Sequence, residues 1–333
     1  MKRYRILTAF LSILVLFLAA CSSGSTTTSS NAGTGTSSEK KSSKEIVVGW
    51  SQMENNNPWR IAETKSIRDE AKKRGIKMVY SDAQGDTAKQ VSDVEDMVAQ
   101  KVDYIVLAPR EFEGLAPALA AAKKAGIPVI LVDRKAKGTV GEDYVTFLGS
   151  NFIQQGERAA DWLMQAMGNK GNVVELTGTS GSSVAMDRQK GFTDRLKAKA
   201  PDMKIIASQT GDFARANGQK VMENLLQSYG DKINAVYAHN DEMAIGAINA
   251  IKAAGKVPGK DITIVSVDGT KDALKAIINS EMGATVESSP FFGPRVFDVI
   301  EKLQKKESVP TEIIIEDRFF DKNNAKEFVD QAY

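Results

Sequence analysis

The feature that most restricts the fold is an alternation of short apolar runs, rich in Val and Ile, with longer segments of helical period. One set of runs occupies 46–50, 77–80, 104–107 and 129–132, and a second occupies 173–176, 205–208, 235–238 and 262–267. Between them lie stretches such as 63–74 and 242–254, whose apolar residues recur at i, i+3 and i+4. Gly75, Gly126 and Gly255 fall where helix C-terminal caps belong. Runs apolar on both faces and joined by helices call for parallel sheets covered on both sides. Two such sets predict an α/β protein made of two doubly wound parallel-sheet lobes.

The N-terminal segment has a different character. Lys2, Arg3 and Arg5 precede an apolar run over 6–20. That run is shorter than the ~20 residues a bilayer-spanning helix needs, and it suits the core of a signal peptide. It closes on Leu18-Ala19-Ala20-Cys21, which resembles the bacterial lipobox, whose Cys is diacylated and becomes the first residue. Residues 1–20 are thus expected to be a lipoprotein signal peptide, and Cys21 the point of attachment to the membrane on its extracytoplasmic face. A plain secretory signal with an incidental Cys is the alternative. In 22–43, seventeen of 22 positions are Ser, Thr or Gly. Such a segment cannot bury enough surface to offset its ordering entropy, so 21–43 is expected to be a flexible tether spanning roughly 26 Å. Long tethers of this kind suit a Gram-positive cell surface.

Charge and the rare residues exclude several functions. The chain carries 44 Lys and Arg against 42 Asp and Glu, and loss of 1–20 turns the balance to −1, which offers nothing to nucleic acid. One Cys and one His exclude an internal disulfide and a conventional His/Cys zinc site. Neither a metal nor a cofactor is expected, and the balance favours binding over catalysis.

In open α/β sheets, ligands bind beyond the carboxyl ends of the strands. The residues that follow the runs include Trp59-Arg60, Pro109-Arg110, Asp133-Arg134, Asp212-Phe213, His239-Asn240-Asp241 and Asp268-Gly269. Arg forks, Asp carboxylates and Asn amides make paired hydrogen bonds to neighbouring hydroxyls, and aromatic rings offer flat faces to C–H surfaces. That combination suits a polyhydroxylated ring. Taken as bare residues, Asp133 and Asp268 fit helix N-caps equally well, and Arg134 and Arg188 fit surface ion pairs.

Six segments in order carry a resemblance across almost the whole mature chain. They are Asn57-Pro58-Trp59-Arg60, Val132-Asp133-Arg134, the stretch from Asp187-Arg188 to Phe192, Gly211-Asp212-Phe213, the stretch from Ala238 to Ala247, and Val267-Asp268-Gly269. Together they resemble the type I periplasmic sugar-binding proteins of ABC transporters. The resemblance implies three chain crossings, near Ser150, Ser288 and Thr311. One lobe would then hold 44–149 and 288–311, and the other 150–287 and 312–333. It also implies a ligand site built from Trp59, Arg60, Asp133, Arg134, Arg188, Phe213, Asn240 and Asp268, to which strand-end Arg110 is added. Trp59-Arg60 replaces the two adjacent aromatics of the ribose-binding branch, and Glu287 stands where that branch has glutamine. Those departures, with the segment around Trp59–Glu63 and the stretch from Asn172 to Arg188, look closest to the galactofuranose-binding proteins. A hexose in furanose form is therefore the expected ligand.

The expected function is a monomeric extracytoplasmic receptor that closes its hinge on one monosaccharide and delivers it to an ABC permease. A sugar or furanose-signal receptor for chemotaxis or quorum sensing would use the same body. A surface glycosidase could place Asp133 and Glu287 about a sugar, but carboxylates flanked by Arg134 and Arg188 are expected to stay ionised, whereas a general acid needs a raised pKa. The loop 177–183 could cradle an anion or simply turn the chain into a helix N-cap. A transcriptional regulator is excluded by the export signal and the acidic mature charge.

Overall fold

The computed structural model describes residues 45–333, so the expected signal peptide, Cys21 and the tether lie outside the described residues. The first lobe runs β1 (Val47–Gln52), α1 (Pro58–Lys73), β2 (Lys77–Asp82), α2 (Thr87–Ala99), β3 (Tyr104–Leu107), α3 (Ala116–Ala125), β4 (Val129–Val132) and β5 (Thr146–Ser150). The chain then crosses. The second lobe runs α4 (Phe152–Met167), β6 (Lys170–Thr177), α5 (Ser183–Lys199), β7 (Asp202–Thr210), α6 (Arg215–Tyr229), β8 (Ala235–Ala238), α7 (Asp241–Ala253), β9 (Thr263–Asp268), α8 (Lys271–Ile278) and β10 (Ala284–Glu287). A return supplies α9 (Gly293–Gln304) and β11 (Glu312–Ile315) to the first lobe, and the chain ends with β12 (Phe319–Asp321) and α10 (Ala325–Phe328) on the second.

Each lobe holds a six-stranded sheet, ordered β11-β5-β4-β3-β1-β2 in the first and β12-β10-β9-β8-β6-β7 in the second. All pairings are parallel except that of β12 with β10. The composition of β4 shows why the sheet is covered on both faces. Its Val-Ile-Leu-Val is buried throughout, with Ile130 and Val132 packing among Val48, Trp50, Leu148, Phe292 and Phe297, while Val129 and Leu131 face the opposite layer with Leu119, Ala122 and Phe147. A period-two strand buries both faces only when helices cover each.

The eight apolar runs all become strands, and four further strands join them. β5 reads Thr-Phe-Leu-Gly-Ser and β12 only Phe-Phe-Asp, so neither carries the Val/Ile signature. The crossings fall at Asn151, across 288–292 and across 316–318. The third is a correction to the boundary expected at Thr311. Glu312–Ile315 pairs with Phe147–Ser150 of the first sheet, so the chain leaves that lobe only after Ile315.

Candidate functional site

Because the strands of each sheet run parallel, their carboxyl ends share one edge, and the two edges face each other. On the first lobe, α1 begins where Asn57 accepts a side-chain hydrogen bond from Arg60 N at 2.9 Å and Pro58 occupies the first helical turn. This start sets Trp59 and Arg60 at the sheet edge. The Trp59 indole N–H donates to Ser288 O at 2.7 Å, and the Arg60 guanidinium stands 4.7 Å over the indole ring. Arg60 donates to Glu63 at 2.8 Å and to Asp133 at 2.6 Å. Burial opposes the Arg60 cation, but Asp133 and Glu63 outweigh it and hold the pKa above its usual value. Burial also pushes the Glu63 carboxyl up to about 7 against the pull of Arg60. Glu63 Oε2 accepts from the Gln52 amide at 2.9 Å, while its Oε1 has no partner.

β4 delivers Asp133 and Arg134. Asp133 has φ +60, in the left-handed region, so the chain turns sharply there and both side chains enter the cleft. Among the described residues, Arg134 donates one hydrogen bond, to Arg110 O at 2.7 Å; its Nε has no partner and lies 3.6 Å from Asp133. Burial, with Arg60 nearby, pulls its pKa down to about 9.

On the second lobe, Arg188 projects from α5. That helix approaches α4 closely because position 156 is glycine: a Cβ there would stand 2.3 Å from Arg188 O. Arg188 donates from Nε to Gln155 Oε1 at 2.9 Å and from Nη1 to His239 O at 2.5 Å, and its Nη2 lies 3.5 Å from Asp268. Phe213 follows β7 at φ +56, an uncommon conformation for a bulky side chain and one that turns its ring into the cleft. The ring lies under Arg134 at 5.4 Å and Arg188 at 5.9 Å, one arginine from each lobe. Gly178 makes room for it, since a Cβ there would fall 1.9 Å from the ring. Asn240 caps α7 by accepting from Met243 N and donates to Phe213 O at 3.1 Å. Asp268 ends β9 at φ +132, and burial raises its carboxyl well above the usual range despite Arg188.

Behind this wall His239 accepts from Gly178 N at Nδ1, so Nε2 carries the proton that faces Glu175 at 3.1 Å. Burial keeps the imidazole neutral by lowering its pKa. It is a structural histidine.

These side chains line one cavity between the lobes, to which Glu54, Asn57 and Val184 also contribute. Three arginines (Arg60, Arg134, Arg188) face three acids (Glu54, Asp133, Asp268) around it. Such a balanced lining suits a neutral molecule with many hydroxyls better than an anion. The lobes touch at the rim, where Phe112 N donates to Gly181 O at 2.9 Å and Lys135 N to Ser183 Oγ at 2.8 Å, so the cleft is closed.

Eight of the ten expected ligand residues line this cavity: Trp59, Arg60, Asp133, Arg134, Arg188, Phe213, Asn240 and Asp268. Two do not. The Arg110 side chain turns to Glu111, and its backbone instead serves the site through the carbonyl that holds Arg134. Glu287 is engaged by Arg318, which donates from Nε at 2.9 Å, from Nη2 at 2.6 Å and from its backbone N at 2.9 Å. The acid therefore braces the third crossing rather than reshaping the pocket, and the Asp133/Glu287 pair of the glycosidase reading is not assembled. At Asp268 burial outweighs the pull of Arg188 and raises the carboxyl above its usual range. Neither Asp133 nor Asp268 caps a helix; Thr270 caps α8. In the 177–183 loop, Ser182 caps α5 by accepting from Ala185 N, the turn-and-cap reading. Glu63 was not singled out from sequence, although its position three residues after Arg60 on a helix puts the two side chains together. No cluster of metal-ligating side chains occurs among the described residues.

Two doubly wound lobes, three crossings and a closed polar cavity between the strand ends define a hinged receptor for a small solute. The chain belongs to the periplasmic binding protein domain family, whose match spans residues 48–305. It is 44% identical over 273 residues to the galactofuranose-binding protein YtfQ of Escherichia coli (strain K12), covering 81% of this chain and 86% of that one. It is 40% identical over 249 residues to the ribose import binding protein RbsB of Bacillus subtilis (strain 168), covering 75% and 78%. Among solved structures, it is similar to the binding protein of the arabinose ABC transporter from Shewanella sp. ANA-3, bound to α- and β-L-arabinofuranose. That similarity has a TM-score of 0.83 and 40% identity, covering 86% of this chain and 95% of that one.

Proposed function

We propose that this protein is the extracytoplasmic receptor of an ABC sugar importer, closing around one monosaccharide, a hexose in furanose form of the galactofuranose kind, and presenting it to a membrane permease. The observation that carries this reading is the cavity lining, in which three arginines and three acids from two lobes surround an aromatic face. A furanose with an exocyclic diol offers adjacent hydroxyls on both sides of a small ring. Arg60, Asp133 and Arg134 are placed to take one side, and Arg188, Asn240 and Asp268 the other, with Phe213 against the ring. The relatives named for galactofuranose and bound to arabinofuranose favour the same ring form. Hydrogen bonds to charged groups contribute a net ~1.5–3 kcal/mol each. A few of them reach the about −8 kcal/mol of micromolar binding. Closure follows because the sugar bonds both lobes only in the closed form and so selects it.

The receptor acts without catalysis, as a monomer held at the membrane through a lipid on Cys21 and the 21–43 tether, on a Gram-positive surface. No described helix is long and apolar enough to cross a membrane. Isothermal titration of the purified protein with galactofuranose, galactopyranose, arabinose, ribose and fructose tests the assignment. One-to-one heat strongest for galactofuranose is expected; markedly tighter binding of a pyranose or of ribose would overturn the ring-form reading. A chromogenic galactofuranoside should remain uncleaved.

A further inference from the structure

One amide joins the sugar site to the whole hinge. Gln155, on the first turn of α4, is buried to within 1% of its surface. Its Oε1 accepts from Arg188 Nε at 2.9 Å, and its Nε2 donates to Asp317 Oδ2 at 2.7 Å and to Glu287 O at 3.2 Å. Those three bonds admit only one orientation of the amide, because an arginine N–H needs an acceptor and a carboxylate needs a donor. Asp317 in turn accepts from Ser150 Oγ at 3.0 Å through its other oxygen. Ser150 leads into the first crossing, Glu287 into the second, and Asp317 lies within the third. The three segments are therefore joined through Gln155 and Asp317, and the remaining bond of Gln155 holds a cavity arginine.

We propose that Gln155 is a positioning residue for sugar capture, aiming Arg188 into the cavity and tying that arginine to the three crossing segments. The inference rests on the reading of Arg188 as a sugar contact. Its consequence is coupling. A sugar that fixes the Arg188 fork also fixes the Gln155 amide, and with it the relative placement of the crossings in the closed form. When the lobes part, the crossing segments change their dihedral angles; the bonds of Gln155 to Arg188 and Glu287 O stay within the second lobe, so the strain falls on Asp317, held between Gln155 and Ser150, and reaches Arg188 through the amide. Arg188 is then free to leave its bound orientation.

The test uses galactofuranose as probe and reads its affinity by titration alongside the melting temperature of the ligand-free protein. Gln155→Met keeps the shape and removes all three bonds, and it should bind about tenfold or more weakly. Gln155→Glu keeps the acceptor for Arg188 but sets a carboxylate against Asp317, whereas Asp317→Asn can turn its amide oxygen to Gln155 and its NH2 to the Ser150 hydroxyl and should bind close to wild type. The double variant Gln155→Glu/Asp317→Asn restores a donor opposite an acceptor with the roles exchanged, so its affinity should recover to within about threefold of wild type. Recovery of affinity beyond Gln155→Glu supports the proposal, and it does so even if Gln155→Met fails to fold. Wild-type affinity in a folded Gln155→Met would overturn it, as would a double variant no better than Gln155→Glu. Arg188→Met separates this failure from that of the underlying site. If Arg188→Met binds like wild type, the site reading is wrong; if it binds weakly while Gln155→Met binds normally, only the coupling is wrong.

Discussion

Arg134 gives a prediction in which binding and closure move in opposite directions. Its guanidinium is 2% exposed in the closed cleft, yet among the described residues only one of its N–H donors finds an acceptor. The drop in its pKa from 12.5 to about 9 expresses how poorly the closed lobes accommodate that cation. Arg60 shares the lobe and is present before closure, so the resistance that closing adds is the desolvation of the charge. Two hydrogen bonds from the cation to sugar hydroxyls contribute a net ~1.5–3 kcal/mol each once that desolvation is counted. On this account the arginine both resists closure without sugar and rewards it with sugar.

Arg134→Met should therefore weaken galactofuranose binding by about 100-fold, the loss of ~3 kcal/mol from two charged bonds. The same change should raise the closed fraction of the ligand-free protein, read as the distance between spin labels placed one on each lobe. Arg134→Lys keeps the charge and loses the fork, so it should bind weakly and stay as open as wild type. A ligand-free Arg134→Met as open as wild type would refute the reasoning about the cation. Wild-type affinity would remove Arg134 from the site.

Three further outcomes are expected. Burial raises the carboxyls of Glu63 to about 7 and of Asp241 and Asp317 to about 6, and raises Asp268 well above the usual range, so the folded protein binds these protons more tightly than the unfolded chain. Their contribution is complete below about pH 4 and is lost as pH rises through 6 to 7. Neutral His239 opposes this with a single group, so the melting temperature should be higher near pH 5.5 than near pH 8, and Asp317→Asn should flatten the profile; a rise toward pH 8 would contradict it. Gly178→Ala places a methyl group 1.9 Å from the Phe213 ring, and titration should show affinity reduced by about tenfold as the ring leaves the cavity; unchanged affinity would remove the ring from the site. Glu287→Ala breaks a half-exposed pair with Arg318, so sugar affinity should change by less than about threefold, and a larger loss would return the acid to the site.

What was legible in the sequence, and what was not, follows from where each piece of information resides. The β4 run of Val-Ile-Leu-Val announces a strand buried on both faces, because burial there is a property of the residues themselves. β12, three residues long, acquires its place only by pairing with β10, and β11 only by pairing with β5, which is why the third crossing lies beyond Thr311. The site divides along the same line. Asp133 and Asp268 follow β4 and β9 directly, so the topology alone puts them in the cleft. Arg110 also follows a strand, yet its side chain finds Glu111 before it finds the cavity, and Glu287 finds Arg318 thirty-one residues away. A strand-end position fixes where a Cα lies; the direction of a long charged side chain is settled by the first partner it meets. Gln155 and Asp317 were unreadable for the complementary reason. Each works through another residue, and their partners Arg188 and Ser150 are distant in sequence. The cleft's selectivity is therefore set as much by this supporting layer as by the arginines it holds. A change of cargo between related receptors requires that layer to move with the residues it aims.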